Sequence, residues 1–170
     1  TVIKDAVDLV RQDTGKELSM GNIDYNDPKV LDFIGTGKTD GVFQLESGGM
    51  KNFMKELRPQ SLEDIIAGIS LYRPGPMDFI PRYIKGKNNP ESITYETPLL
   101  EPILSPTYGC IVYQEQVMQI VRELGGYTLG RSDLVRRAMS KKKQAVMEKE
   151  KANFVYGDPD RKSTRMNSSH

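Results

Sequence analysis

Apolar residues recur at helical spacing along most of this chain, which predicts a mainly α-helical fold. The first apolar stripe lies near the N-terminus and consists of Val2, Ile3, Ala6, Val7 and Val10. Gly15 follows this stripe and is placed to end the helix. A second stripe of the same kind, at Val117, Ile120, Val121 and Leu124, is followed by two glycines that predict its end.

Capping signals predict where other helices begin. Asp27 before Pro28 has the form of a helix cap followed by proline in the first turn. Ser47 precedes a stripe formed by Met50, Phe53, Met54 and Leu57. Ser61 with Asp64 resembles a capping box, and Ser132 is placed to cap a helix rich in basic residues.

Two segments favour short β elements within this helical pattern. Residues 41–45 form a strand-like run, and residues 110–113 suit either a buried strand or the start of a helix. Frequent prolines and asparagines predict that residues 81–106 are a connector with short elements. The expected fold class is therefore mainly α with short β elements.

Composition narrows the class of protein. The 170 residues include 24 basic and 23 acidic side chains, so the overall charge does not select a partner. A single cysteine, Cys110, excludes an internal disulfide framework and fits a reducing compartment. No apolar run is long enough to span a membrane, and the expected location is the cytoplasm.

A local concentration of cations stands out against this balanced background. Arg131 precedes a helix that carries a basic cluster, here defined as Arg136, Arg137, Lys141, Lys142 and Lys143, with Asp133 as the acid among them. Arginine forks and lysine ammonium groups bind phosphate oxygens well, so the cluster is a candidate polyphosphate site close to a helix N-terminus. The alternative is an ordinary solvated helix face.

Two other segments carry candidate binding residues. Arg73 lies in a corner formed by residues 72–76, where two prolines and a glycine fix the chain direction and present a cation for an anion. A helix terminator with a surface arginine is the alternative. Tyr113 and Gln114 place an aromatic ring beside an amide, which can stack on a base and bond its edge. A core tyrosine beside a helix cap is the alternative there.

The carboxylates do not form a pattern for metal-assisted phosphoryl transfer. Such chemistry needs clustered acids that hold two divalent ions, and no such cluster is evident in the sequence. The phosphate-binding loop that ends in Gly-Lys-Ser/Thr is also missing. We therefore expect no catalytic residue and no metal ligand within this chain.

Several long runs resemble one family. Residues 41–47 (GVFQLES), 70–77 (SLYRPGPM), 113–118 (YQEQVM), 126–130 (GYTLG) and 136–143 (RRAMSKKK) are similar to the catalytic alpha subunit of bacterial replicative DNA polymerase III. The resemblance covers residues 1–159. It implies the N-terminal part of the helical fingers domain of a multidomain C-family polymerase, beginning just after the palm domain.

The resemblance also implies roles for the candidate residues. Arg73 and the basic cluster become candidates to bind the triphosphate of a deoxynucleotide or nearby DNA phosphates, and Tyr113 with Gln114 to lie near the nascent base pair. In this family palm-domain aspartates outside the chain bind magnesium. The implied partners are primer–template DNA, deoxynucleoside triphosphates and other replicase subunits such as the sliding clamp, with no membrane.

The expected function is therefore that of a fragment of a replicative DNA-directed DNA polymerase, inactive by itself. A non-catalytic nucleic-acid-binding module and a purely structural interaction domain are the rival classes. Residues 160–170 resemble the translation of a sequencing adaptor, so we predict that they are an artefactual, disordered tail without function.

Overall fold

The computed structural model describes residues 1–157, and all regular secondary structure in that range is helical. The predicted tail at 160–170 lies outside the described residues. The α-helices are α1 (Val2–Thr14), α2 (Pro28–Gly35), α3 (Gly48–Leu57), α4 (Leu62–Leu71), α5 (Ile80–Asn88), α6 (Glu101–Leu104), α7 (Gln114–Glu123), α8 (Leu129–Ser140) and α9 (Gln144–Tyr156). Short 3-10 helices cover Pro76–Phe79, Pro90–Ser92, Pro98–Leu100 and Ser105–Thr107.

The expectation of short β elements is wrong for the described part of the chain. Residues 41–45 form consecutive tight turns, because Gly41 and Gln44 adopt positive φ angles of 77° and 67° that a strand does not allow. The fully buried Thr39 closes these turns by donating its hydroxyl to the Leu45 carbonyl at 2.5 Å. Local hydrogen bonds from the amides of Val42 and Leu45 therefore satisfy part of the backbone that a strand partner would otherwise have to satisfy.

The apolar run at residues 110–113 is the entry to a helix and is not itself helical. Tyr113 has an extended backbone, with φ −107° and ψ 147°, and α7 begins at the next residue. Of the two alternatives that the sequence left open, the helix start is therefore the one observed.

Two compact units divide between Ile69 and Ser70. In the first unit, the predicted caps are present. Asp27 accepts a hydrogen bond from the Lys29 amide, and Ser47 accepts one from the Met50 amide. Ser61 accepts one from the Asp64 amide. These side chains satisfy amides that have no partner within their helices, which explains why the helices begin where the sequence predicted.

The core of the first unit is formed by apolar side chains of α2, α3 and α4 and of the turns before α3. The buried residues include Leu31, Ile34, Leu45, Met50, Phe53, Met54, Leu57 and Ala67. The α1 helix ends at Gly15, as predicted, but contributes no buried residue. Its apolar stripe is therefore largely exposed.

In the second unit, the buried residues include Leu71, Tyr83, Ile103, Leu104, Cys110, Tyr127, Val135 and Ala138. The prediction of a connector at 81–106 missed α5, which buries Tyr83 against the edge of the Tyr108 ring at 5.2 Å between centroids. A proline lies in the first turn of this helix, a position that proline tolerates.

The basic helix α8 begins earlier than the sequence predicted. Thr128 is its cap and accepts a hydrogen bond from the Arg131 amide at 3.2 Å. Ser132 lies one turn inside the helix, fully buried, with its hydroxyl donating to the Leu129 carbonyl at 2.7 Å. Helix α8 packs against both α7 and α9. No helix among residues 1–157 has the length and apolar character needed to cross a bilayer.

Candidate functional site

A cleft of about 400 Å³ in the second unit brings the proline corner together with α7 and α8. It is lined by Arg73, Pro74, Pro76, Gln114, Val117, Arg136, Met139 and Ser140. Three of the eight predicted site residues, Arg73, Gln114 and Arg136, therefore meet in one place. The cleft combines cationic and amide groups with an apolar surface made of proline, valine and methionine.

Arg73 is held by its backbone and has a free side chain among the described residues. Its amide donates to the Leu71 carbonyl at 2.8 Å, and its carbonyl accepts from the Met77 amide at 3.1 Å. Gly75 has a φ of 99°, which lets the chain turn between the two prolines. The exposed guanidinium forms no hydrogen bond or ion pair within residues 1–157, so its donors are available to a ligand.

The two arginines of α8 share one carboxylate. Arg136 donates from Nε and Nη2 to Asp133 Oδ1 at 2.9 and 2.8 Å, and Arg137 Nε lies 2.7 Å from Asp133 Oδ2. The hydrogen bond from Arg136, with the charge of Arg137, holds the pKa of Asp133 below its ordinary value, although partial desolvation opposes this shift. Asp133 thus offsets one of the two positive charges and fixes the direction of both guanidinium groups.

Gln114 connects α7 with α8 across the cleft. Its Nε2 donates to Ser140 Oγ at 2.9 Å, and its Oε1 accepts from Arg136 Nη1 at 3.4 Å. The amide therefore orients the same guanidinium that Asp133 holds from the other side. Tyr113 lies beside Gln114 at the cap of α7, but it is not among the residues that line the cleft.

The three lysines of the basic cluster lie outside the cleft, in the turn between α8 and α9. The amides of Lys142 and Lys143 donate to the carbonyls of Met139 and Ala138, which is the hydrogen-bond pattern that closes a helix C-terminus. The cluster was expected near the N-terminus of the basic helix, but the lysines lie at the C-terminal end of α8, and Lys143 is the N-cap of α9. The dipole of α8 favours cations at its C-terminal end, whereas the dipole of α9 disfavours them at its N-terminal end, so the helix dipoles do not decide between a phosphate site and an ordinary solvated face.

Arg131 does not join the other cations. Its guanidinium lies over the Tyr127 ring, 4.7 Å from the centroid, and 3.5 Å from the Glu150 carboxylate of α9. The Tyr127 hydroxyl donates to Glu150 as well, at 2.9 Å. Arg131 therefore serves the attachment of α9 to the rest of the second unit.

A buried glutamine next to the cleft escaped the sequence analysis. Gln116 is 5% exposed and accepts hydrogen bonds from the amides of Val112 and Tyr113 at 2.8 and 2.9 Å. The only sequence signal was a glutamine at the third position of a helix, which is typical of a capping box. That pattern indicates the bond to the preceding amides but not the burial.

Metal-binding side chains do not cluster in the described part of the chain. Within residues 1–157, no three His, Cys, Asp or Glu side chains lie close enough together to hold a metal ion.

Comparison with known proteins gives the family. Residues 1–161 match the model of the bacterial DNA polymerase III alpha subunit finger domain. Proteins named DNA polymerase III subunit alpha are 50% identical over 157 residues in Halalkalibacterium halodurans and 45% identical over 157 residues in Staphylococcus epidermidis. Each alignment covers 92% of this chain.

The protein of the same name from Staphylococcus aureus strain MRSA252 is 43% identical over 170 residues, which is 100% of this chain. The chain spans only 14–15% of the length of these relatives. The match of the family model over nearly the whole chain and these identities confirm the resemblance noted in the sequence: the chain belongs to the bacterial DNA polymerase III alpha subunit finger domain family.

Proposed function

We propose that this segment binds an incoming deoxynucleoside triphosphate and primer–template DNA as part of a replicative DNA-directed DNA polymerase. The observation that carries the proposal is the cleft that Arg73 lines together with Arg136 and Gln114, where the Arg73 guanidinium has no partner within residues 1–157. Membership in the finger-domain family supports the assignment, since the curated relatives are named as polymerase subunits.

The triphosphate is assigned to the arginines of the cleft. Arg73 offers donors that no described residue uses, and Arg136 offers a guanidinium held in place by Asp133 and Gln114. Pre-oriented arginines bind phosphate oxygens in bidentate contacts and lose little conformational freedom on binding. Arg137 has a 63% exposed side chain outside the cleft lining, so it is assigned to DNA phosphates or to the outer edge of the triphosphate.

The apolar surface and the amide suit the remainder of a nucleotide. Pro74, Pro76, Val117 and Met139 provide a surface for a sugar or base, and Gln114 can exchange its bond with Ser140 for one to a ligand. Tyr113, beside Gln114, is assigned to the neighbourhood of the nascent base pair. Lys141, Lys142 and Lys143 are exposed in their turn, which suits contacts with the DNA backbone.

In the complete polymerase, the primer 3′-hydroxyl attacks the α-phosphate and pyrophosphate leaves. The role proposed for this segment is positioning of the triphosphate and stabilisation of its charge. Residues 1–157 lack the carboxylate cluster that magnesium requires, so no residue of this chain is assigned to the metal. Other replicase subunits, such as the sliding clamp, and a cytoplasmic location belong to the same proposal for the whole protein.

Substitution of Arg73 in a full-length polymerase subunit that carries this segment tests the proposal. Arg73→Ala removes a charge-assisted contact of about 1.5–3 kcal/mol, so the kcat/KM for deoxynucleotides should fall roughly ten- to a hundredfold. Arg73→Lys keeps the charge but cannot form a bidentate contact, so it should recover only part of the lost kcat/KM. Arg122→Ala, which removes an exposed cation from α7 outside the cleft, is the matched control.

The rival class, a non-catalytic nucleic-acid-binding module, gives a different outcome. It predicts that Arg73→Ala weakens DNA binding but leaves nucleotide kinetics at the level of Arg122→Ala. Unchanged nucleotide kinetics in a folded Arg73→Ala variant would therefore exclude the cleft as the nucleotide site.

A further inference from the structure

Gln116 is a buried polar side chain whose hydrogen bonds are made entirely inside the second unit. Its Oε1 accepts from the amides of Val112 and Tyr113, and its Nε2 donates to Thr107 Oγ1 at 2.8 Å and to the Ile103 carbonyl at 3.4 Å. One amide group therefore satisfies two partly buried donors and two buried acceptors. Replacing it by an apolar group of similar size leaves these partners unsatisfied.

These bonds join the start of α7 to the segment that precedes it in the chain. The Thr107 hydroxyl also donates to the Cys110 carbonyl at 2.6 Å, so residues 103–110 form a closed local network around the glutamine. On the other side, Gln116 holds the two residues that come just before α7. The direction in which α7 starts is thus fixed by the side chain of its third residue.

The first residue of α7 is Gln114, which contacts both Ser140 and Arg136 in the cleft. A shift at the start of α7 moves the Gln114 amide and removes the bond that orients Arg136. We infer that Gln116 is a positioning residue of the cleft, acting through Gln114 on Arg136. The inference rests on the proposed nucleotide-binding function of the cleft.

Two substitutions in the full-length polymerase subunit test this role. Gln116→Met keeps the size of the side chain and removes all four hydrogen bonds, and Thr107→Val removes the main acceptor of the Gln116 amide. Each should raise the deoxynucleotide KM roughly three- to tenfold while kcat at saturating nucleotide is largely kept. If Gln116→Met does not fold, the same measurement on Thr107→Val tests the role.

The control is Tyr83→Phe, which removes a hydroxyl from another buried side chain of the same unit, outside the cleft lining. Loss of active enzyme by destabilisation lowers kcat and leaves KM unchanged. A fall of kcat at constant KM, as in the control, would therefore assign Gln116 a structural role and overturn the inference.

A double substitution tests whether Gln116 acts through Gln114. In a Gln114→Ala background, Gln116→Met should cause no further rise in KM, because the side chain that it positions is gone. Additive effects would overturn the inference. Arg73→Ala, measured in parallel, separates the two proposals. If it lowers kcat/KM and the Gln116 variants do not raise KM, only the positioning role fails; if Arg73→Ala leaves kcat/KM unchanged, the nucleotide site itself is refuted.

Discussion

At the scale of single residues, the arginines of this segment differ in the partners that they already have. Arg73 has a free guanidinium among the described residues, whereas Arg136 and Arg137 share Asp133. Arg131 is occupied by Tyr127 and Glu150. A cation whose charge is already offset gains less from a phosphate than a free one, because ligand binding must compete with the existing pair. Substitution of Arg73 is therefore expected to reduce phosphate binding more than substitution of the other arginines.

The first residue-scale prediction concerns Asp133 and pH. Because its pKa is lower in the folded chain than the ordinary value of 3.8, ionised Asp133 stabilises the fold above that value. This contribution is lost as the pH falls from about 4 through the lower, folded-state pKa. Asp133→Asn should therefore reduce stability at neutral pH and flatten the loss of stability in acid.

Urea unfolding of the chain at a series of pH values measures this effect. Asp13→Asn, at an exposed position near the end of α1, is the control for removal of a carboxylate. Identical slopes of stability against pH in the wild-type chain and Asp133→Asn would refute the contribution of the shared carboxylate.

At the scale of elements, helix ends decide where the cations are presented. The lysines close α8 instead of lying along it, and Lys142 adopts a φ of 50° at a position where glycine is usual. A side chain with a Cβ is strained in this conformation. Lysine at position 142 makes the fold less stable than glycine would, which is consistent with a role for the lysine charge.

The element-scale prediction separates that charge from the backbone. Lys142→Gly and Lys142→Ala remove the same charge, but only glycine relieves the left-handed backbone. The glycine variant should therefore be more stable than the alanine variant by about 1 kcal/mol. In the full-length subunit, both should flatten the salt dependence of DNA binding equally, by roughly 0.7–0.9 log units if one phosphate contact is lost.

Chemical unfolding and DNA-binding titrations at several salt concentrations provide these two measurements. An unchanged salt dependence of DNA binding in both variants would show that Lys142 lies at an ordinary solvated helix end and does not contact DNA. Equal stability of the two variants would contradict the strain assigned to Lys142.

At the scale of the whole molecule, the chain consists of two compact units, each with buried apolar residues of its own. It spans about one seventh of the length of its relatives. Residues 1–157 provide a candidate cleft for binding but no carboxylate cluster for metal-assisted transfer. Within the described residues, candidate binding groups are thus present separately from any cluster of metal-binding carboxylates.

The whole-molecule prediction follows from that separation. The 170-residue chain by itself should not extend a primer with magnesium and all four deoxynucleotides, because residues 1–157 form no carboxylate cluster to hold the metals. A full-length polymerase subunit in the same assay is the positive control. Extension by the purified chain above background would show that the chemistry resides in this segment after all.

The sequence by itself determined the helical class, the starts of α2, α3 and α4, and the family. Periodic apolar positions and capping residues act over three or four neighbours, so they can be recognised without the fold. That is why Asp27, Ser47 and Ser61 were identified as caps from their local pattern alone. The turns at residues 41–45 were missed, since a run of apolar residues does not reveal positive φ angles.

The tertiary structure alone decided which of the candidate residues meet. Arg73, Gln114 and Arg136 are far apart in sequence and share a cleft because α7 and α8 pack together beside the proline corner. Adjacent cations in the sequence were separated instead, with Arg131 turned to α9 and the lysines placed past the end of α8. Ion pairing and burial depend on distances between residues that are remote in sequence, and local patterns do not contain those distances.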